Sequence, residues 1–182
     1  MKLQELYKKQ IVPALKEKLK LKNVMSVPRL SKVVINVGFG RNVKDKELIK
    51  DIENNLIILS GQKPVFNKAK KAISAFKIRD GMIIGAKVTL RGKRMWDFVE
   101  KLVNVYFPRV RDFRGLSDKA VDNSGNLTVG FKDILAFPEI EVADFERLHG
   151  LEICLNTTAG NRSAGLEFFH ALNFPLLNKE EK

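Results

Sequence analysis

The stretch Gly85-Ala86-Lys87-Val88-Thr89-Leu90-Arg91 alternates apolar and polar residues. Successive side chains of a β-strand point to opposite faces of the sheet, so Ala86, Val88 and Leu90 are predicted to enter a core. Lys87, Thr89 and Arg91 would then share the opposite face. A sheet made of such strands needs a cover on its apolar face only, which leaves the polar face open.

Similar patterns extend along the chain on both sides of this stretch. Apolar residues at three- and four-residue spacing predict four helices, over about residues 2–21, 45–60, 92–106 and 162–173. Further strands are predicted over residues 33–40, 65–67, 126–132 and 151–157. Pro13 is expected to kink or split the first helix, and Pro108 to end the third. The predicted fold class is α+β: a mainly antiparallel sheet covered by helices on one face, with the opposite face polar and free to bind a partner.

Size and composition favour a single domain over residues 1–182. The chain has 45% hydrophobic residues, enough for a core, and 33 Lys+Arg against 21 Asp+Glu, a formal net charge of +12. Such a charge attracts polyanions. The single cysteine, Cys154, permits no internal disulfide, and no apolar run is long enough to cross a membrane. We therefore expect a cytoplasmic protein with no membrane contact.

Residues capable of catalysis or metal binding are sparse. His149, His170 and Cys154 are too few, and too poorly spaced, to form a metal site. Gly38-Phe39-Gly40 follows a strand, but a dinucleotide loop would need a third glycine where Val43 stands. We expect no catalytic residue, cofactor, metal or small-molecule substrate. A chain without such sites is expected to act by binding and not by catalysis. The alternative to such a binding protein is an RNA-modifying enzyme with a basic groove.

The charge is concentrated in one part of the chain. Residues 63–94 hold ten basic residues and one acid, Asp80, and so carry +9 of the net +12. Within them, residues 69–84 fit neither helical nor strand periodicity and predict a long projecting loop, here called the basic loop. Beside it, the amide, hydroxyl and cationic side chains of the polar sheet face are suited to RNA.

Acidic residues form a cluster of their own. Residues 139–152, here called the acidic segment, hold five acids and one base, Arg147. Such a segment would repel RNA, so we expect it to face solvent or a basic protein. A short helix is predicted over part of residues 139–150. The last residues, 178–182, form a polar tail.

Several short motifs, in order and at matching spacing, carry a family resemblance. They are Gly61-Gln62-Lys63-Pro64, Lys70-Lys71-Ala72-Ile73-Ser74, Val88-Thr89-Leu90-Arg91, Pro108-Arg109, Arg111-Asp112-Phe113-Arg114-Gly115-Leu116 and Phe137-Pro138-Glu139-Ile140. Together they resemble the bacterial ribosomal protein L-five family, over about residues 5–175. The resemblance implies a structural, ribosome-bound protein that attaches 5S rRNA to the central protuberance of the large subunit.

The resemblance also implies partners for the surfaces described above. They are 5S rRNA, large-subunit rRNA, P-site tRNA, a basic small-subunit ribosomal protein and other 5S-rRNA-binding ribosomal proteins. The sheet-face patch is expected to bind 5S rRNA and comprises Asn36, Gln62, Lys63, Lys68, Lys87, Thr89 and Arg91. The expected tRNA contacts in the basic loop are Lys70, Lys71, Ser74, Lys77 and Arg79. The expected bridge to the small subunit uses Glu139, Glu141, Asp144 and Glu146.

Overall fold

In the part of the chain that the structure describes, five strands form one antiparallel sheet, and with four helices they confirm the α+β class. The computed structural model describes residues 2–40, 42–43, 45–140 and 148–177. The strands are β1 (Leu30–Gly38), β2 (Val65–Lys68), β3 (Ile83–Leu90), β4 (Leu127–Phe131) and β5 (Leu151–Thr157). Their order across the sheet is β2-β3-β1-β5-β4.

The alternation of the strands predicts their buried faces correctly. On β3, Ala86, Val88 and Leu90 are buried, whereas Lys87 is exposed and Thr89 half-buried. On β1 and its continuation the buried residues are Val33, Ile35, Val37 and Phe39. On β4, Leu127, Val129 and Phe131 are buried and the residues between them are exposed. One face of each of these strands therefore supplies the core.

The helices begin and end close to their predicted limits. Helix α1 comprises Leu3–Leu6, a π-helical turn Tyr7–Ile11 and Val12–Lys18. Helix α2 is Lys46–Ser60. Helix α3 comprises Gly92–Lys101, a π-helical turn Leu102–Tyr106 and Phe107–Arg109. Helix α4 is Arg162–Ala171. Among the described residues, no helix is long and apolar enough to span a membrane.

Both helical prolines follow a π-helical turn. The turn Tyr7–Ile11 precedes Pro13, and Leu102–Tyr106 precedes Pro108. A proline lacks the N–H that an α-helix would use, and its ring clashes with the carbonyl four residues earlier. A wider π turn relieves that clash and lets the helix continue. The prediction that Pro108 ends the third helix was therefore wrong, since α3 runs on to Arg109.

The caps of α2 show why this helix was predictable from sequence. Asp45 accepts hydrogen bonds from the backbone N–H groups of Glu47 and Leu48, at 3.1 and 3.0 Å. Gly61 ends the helix in the left-handed conformation at φ 64°, which glycine adopts without strain. Leu48, Ile52, Leu56 and Leu59 form its buried stripe, as predicted.

The chain divides into two compact units. Unit 1 comprises residues 1–33, 90–129 and 154–182, and unit 2 comprises residues 34–89 and 130–153. Strands β1, β3, β4 and β5 each contribute residues to both units. The single-domain organisation expected from the sequence stays a prediction. The polar tail, residues 178–182, lies outside the described residues. So do residues 141–147, which make up most of the stretch in which a short helix was predicted.

Candidate nucleic-acid interface

The polar face of unit 2 is built on the neighbouring strands β1 and β3. Asn36 lies between the buried residues Ile35 and Val37, so it faces away from the core. Lys87 and Thr89 alternate with buried residues of β3 in the same way. The sheet thus presents an amide, an ammonium and a hydroxyl group from two hydrogen-bonded strands.

Two glycines, one buried and one exposed, lie close to these side chains on β3 and β1. A Cβ atom on Gly85 would lie 3.0 Å from the carbonyl oxygen of Val37 and 3.8 Å from Nδ2 of Asn67. Gly38, on the exposed side of β1, has open space where its Cβ would be. Gly85, which is buried, therefore lets β1 and β3 approach each other closely, whereas Gly38 leaves the backbone of this face open to a ligand.

The turn after α2 fixes Gln62 and Lys63. The Ser60 hydroxyl, which is buried, donates to the carbonyl oxygen of Leu56 at 2.5 Å, one turn earlier in α2, and accepts from the Gln62 N–H at 3.2 Å. Gln62 is half-buried, and the side chain of Lys63 is 80% exposed. Lys63 lies 3.8 Å from the half-buried Glu53, and such a long ion pair leaves the charge of the exposed lysine available to a phosphate.

Lys68 and Arg91 are the remaining two residues predicted for the sheet-face patch. Both are exposed. The β2–β3 register shifts between Asn67 and Lys68, so simple alternation does not predict which face Lys68 occupies. Arg91 precedes α3 and belongs to unit 1, whereas the other six residues of the patch belong to unit 2. The structure therefore places six of the seven predicted residues in one compact unit.

The basic loop has more internal order than its sequence predicts. Ile73 and Ile78 form an antiparallel bridge, with N–H to carbonyl distances of 2.9 and 3.2 Å. The turn between them, Ser74–Phe76, closes at Lys77 in the left-handed conformation at φ 55°. The Ala69 N–H donates to the Met82 carbonyl at 2.8 Å, which ties the two ends of the loop together.

Every predicted tRNA-contacting residue of the basic loop is exposed. They are Lys70, Lys71, Ser74, Lys77 and Arg79. The turn also exposes apolar side chains, since Phe76 is 69% and Ile73 46% exposed. Ile78 is half-buried, and its Cδ1 would contact a Cβ on Gly40 at 3.8 Å. The loop therefore presents both cations and an aromatic ring, a combination suited to phosphates and stacked bases.

Only one of the four predicted bridge residues can be described. Glu139 is half-buried, whereas Glu141, Asp144 and Glu146 lie outside the described residues.

Two residues of the polar sheet face, Val65 and Asn67, were not predicted from the sequence. Val65 pairs with Lys87 and Asn67 with Gly85. The signal was the strand register, which a four-residue strand is too short to reveal.

Comparison with known proteins finds relatives that cover almost the whole chain. The family model described as "Ribosomal protein L5" matches residues 23–79, and the model of the C-terminus of the same ribosomal protein family matches residues 83–176. The "Large ribosomal subunit protein uL5" of Marinomonas sp. is 47% identical, covering 96% of this chain and 97% of its own. That of Cupriavidus metallidurans is 48% identical, covering 97% of this chain and 98% of its own.

The chain belongs to the ribosomal protein L5 family. Members of this family are structural proteins of the large ribosomal subunit that bind rRNA, and they are not enzymes. The alternative of an RNA-modifying enzyme is therefore set aside. In the part of the chain that the structure describes, no group of three or more His, Cys, Asp or Glu side chains could hold a metal ion.

Proposed function

We propose that this chain attaches 5S rRNA to the central protuberance of the large ribosomal subunit. The observation that carries the proposal is the position of the charge. The net +9 of residues 63–94 lies next to a polar sheet face whose side chains alternate with core residues. RNA affinity depends on phosphate neutralisation, and specificity depends on groups held in fixed positions.

The sheet-face patch combines both requirements. Lys63, Lys68 and Lys87 are exposed cations for phosphates. Asn36 and Thr89 stand on strands, and strands hold their side chains more rigidly than loops do. An amide can pair with a base edge, and a hydroxyl can recognise a ribose 2′-OH, the group that distinguishes RNA from DNA. We assign 5S rRNA binding to this patch.

The RNA that co-purifies with the chain tests the assignment. The tagged wild type is recovered from cell lysate at moderate salt, beside a variant with Lys63, Lys87 and Arg91 changed to Ala. A matched control loses three other exposed lysines, Lys8, Lys9 and Lys22. We expect 5S rRNA with the wild type and the control, but much less with the patch variant. Equal recovery from all three would contradict the assignment.

The basic loop is proposed to contact P-site tRNA. Its exposed cations suit a phosphate backbone, and Phe76 offers a ring to an unstacked base. The bridge Ile73↔Ile78 holds the turn in one conformation, so less entropy is lost on binding. The loop is built within unit 2 but uses residues distinct from the sheet-face patch, so its contact can be tested separately.

The acidic segment is proposed to bridge to a basic small-subunit ribosomal protein. Its charge is opposite to that of the RNA-facing residues, and it repels phosphate. A photocrosslinking residue at Glu141 in assembled ribosomes should capture a small-subunit protein. Crosslinks from this position to RNA alone would contradict the bridge.

A further inference from the structure

Met82 closes the basic loop immediately before β3. It is half-buried, and its thioether sulfur, Sδ, accepts a hydrogen bond from the backbone N–H of Arg79 at 3.1 Å. Its own N–H donates to the Arg79 carbonyl at 3.3 Å, and its carbonyl accepts from the Ala69 N–H at 2.8 Å. One residue therefore joins the start of the loop, at Ala69, to the turn that ends it.

The turn over residues 79–82 is fixed to the interior of unit 2 on one side only. Gly81 has φ 77°, as a type II turn requires at its third position. The Gly81 N–H donates to the carbonyl of the buried Ala69 at 3.1 Å. On the other side, the Arg79 N–H is held by the sulfur of Met82. A thioether is a weak acceptor, so this contact is the one most easily lost.

The sulfur contact and the Ile73↔Ile78 bridge act on the same peptide group. The Ile78 carbonyl and the Arg79 N–H belong to one planar unit. That carbonyl accepts from the Ile73 N–H at 2.9 Å, and that N–H donates to the Met82 sulfur. The two hydrogen bonds therefore orient the peptide plane from opposite ends, and loss of the sulfur contact loosens the bridge as well.

We propose that Met82 is an oxidation site whose modification loosens the basic loop reversibly. Hydrogen peroxide transfers one oxygen atom to the sulfur, its O–O bond breaks, and the other oxygen leaves as water. The sulfur is oxidised by two electrons and becomes a sulfoxide, which is larger, polar and chiral. Because the new S–O bond uses a sulfur lone pair, the 3.1 Å contact with the Arg79 N–H cannot persist as it stands.

The three methionines that the structure describes differ in exposure and in role. Met25 is 79% exposed, Met82 is half-buried, and Met95 is 3% exposed. Oxidation follows access to the sulfur, so Met25 should react first, Met82 next and Met95 last. Of these three, only Met82 has a sulfur that accepts a hydrogen bond from another described residue. Oxidation of Met25 should therefore leave the basic loop unchanged.

The test compares two variants of the full chain before and after treatment with hydrogen peroxide. Met25→Leu removes the most exposed of these sulfurs and keeps Met82. Met82→Leu is the matched control, since Leu has a similar volume but no sulfur to oxidise. Peptide mass spectrometry locates the added oxygen, and NMR measures hydrogen exchange at the Arg79 and Ile73 amides. A pair of methionine sulfoxide reductases, one for each sulfoxide epimer, then reverses the reaction.

Peroxide should speed exchange at both amides of the Met25→Leu variant by about three- to tenfold. Reductase treatment should restore the original rates. In Met82→Leu the Arg79 amide should exchange faster from the start, because its acceptor is missing, and peroxide should change neither rate.

Three outcomes would overturn the proposal. Met82 could prove as resistant to peroxide as Met95, oxidation of Met82 could leave both exchange rates unchanged, or Met82→Leu could respond to peroxide as strongly as Met25→Leu. Each would show that the sulfur of Met82 does not control the loop.

The consequence for binding rests on the proposed function. A loop that has lost its preorganisation pays more entropy on meeting a ligand. Large subunits reconstituted with the oxidised Met25→Leu chain should therefore retain about two- to threefold less P-site tRNA than those with the untreated chain. Faster amide exchange with normal retention would support the oxidation site and contradict the tRNA contact, so the two failures are distinguishable.

Discussion

Val65 on β2 lies directly opposite Lys87 on β3 in the antiparallel register. Residues paired in this way share one face of the sheet, with their Cβ atoms about 4.5–5.5 Å apart. Val65 is 62% exposed, and Lys87 is exposed as well. The residue at position 65 is therefore a neighbour of the proposed 5S contact that contributes little to the core.

Changing Val65 to Glu should weaken 5S rRNA binding by about 1–2 kcal/mol. The new carboxylate would pair with the Lys87 ammonium and repel phosphate. Because Val65 is exposed, the free energy of unfolding should change by less than about 1 kcal/mol. Filter binding and urea unfolding measure the two effects. Val65→Thr, which is β-branched but neutral, is the control, and equal affinities for the two variants would contradict the prediction.

Replacing Lys70, Lys71, Lys77 and Arg79 with Ala should separate two activities. We expect most 5S rRNA binding to remain, because the sheet-face patch is intact, and P-site tRNA retention on assembled ribosomes to fall. Both are measured on the same variant. A collapse of 5S rRNA binding with normal tRNA retention would show that the basic loop belongs to the 5S site.

Gly165→Ala should destabilise unit 1 by about 2–3 kcal/mol. A Cβ on Gly165 would lie 2.5 Å from the Cα of Gly125 and 2.8 Å from its carbonyl oxygen. That clash outweighs the roughly 1 kcal/mol by which Ala otherwise favours a helix. Urea unfolding measures the loss. Gly130→Ala is the control, since its Cβ meets nothing within 4 Å, and equal stabilities would refute the close-packing account.

The Asp122 carboxylate should make stability depend on pH in acid. The side-chain amide of Asn126 donates a hydrogen bond to the Asp122 carboxylate, and this is the largest cause of the lowered pKa of Asp122. The backbone N–H of Asn126 donates a second hydrogen bond, which lowers the pKa further. A lowered pKa stabilises the fold above the unfolded value of about 3.9, and this contribution is lost as pH falls through the folded pKa.

Asp122→Asn should therefore be less stable than the wild type at neutral pH, by under about 1 kcal/mol because the group is exposed. The difference should stay constant between about pH 7 and 5 and narrow below about pH 4. Urea unfolding of both proteins across this range gives the measurement. A difference independent of pH would show that the carboxylate charge plays no part.

The buried and exposed faces of the strands were predictable from sequence because the face that each residue occupies follows from the residues next to it in the chain. The alternation of Ala86, Lys87 and Val88 gives both the buried and the exposed side of β3. The limits of α2 were predictable for the same reason, since Asp45 and Gly61 act on adjacent backbone groups.

Features that depend on pairing or on helix distortion were not predictable. From the sequence, Pro108 is expected to end α3, but the helix continues to Arg109 after the π turn Leu102–Tyr106. The bridge Ile73↔Ile78 joins residues on either side of a left-handed Lys77, a turn that hydrophobic periodicity does not detect. The register shift after Asn67 likewise arises from the partner strand. The composition of the candidate site was therefore visible in the sequence, but its geometry was not.

The affinity of an Asn36→Ala, Thr89→Ala double variant for 5S rRNA tests the central claim most directly. Its control is Asn123→Ala, Thr128→Ala, which removes one amide and one hydroxyl from exposed positions, whereas Asn36 and Thr89 are half-buried. The account predicts a loss of about 1–3 kcal/mol for each base or ribose contact removed, with the control unchanged and both variants as stable as the wild type. Wild-type affinity in the folded Asn36→Ala, Thr89→Ala variant would contradict the assignment of 5S rRNA to this face.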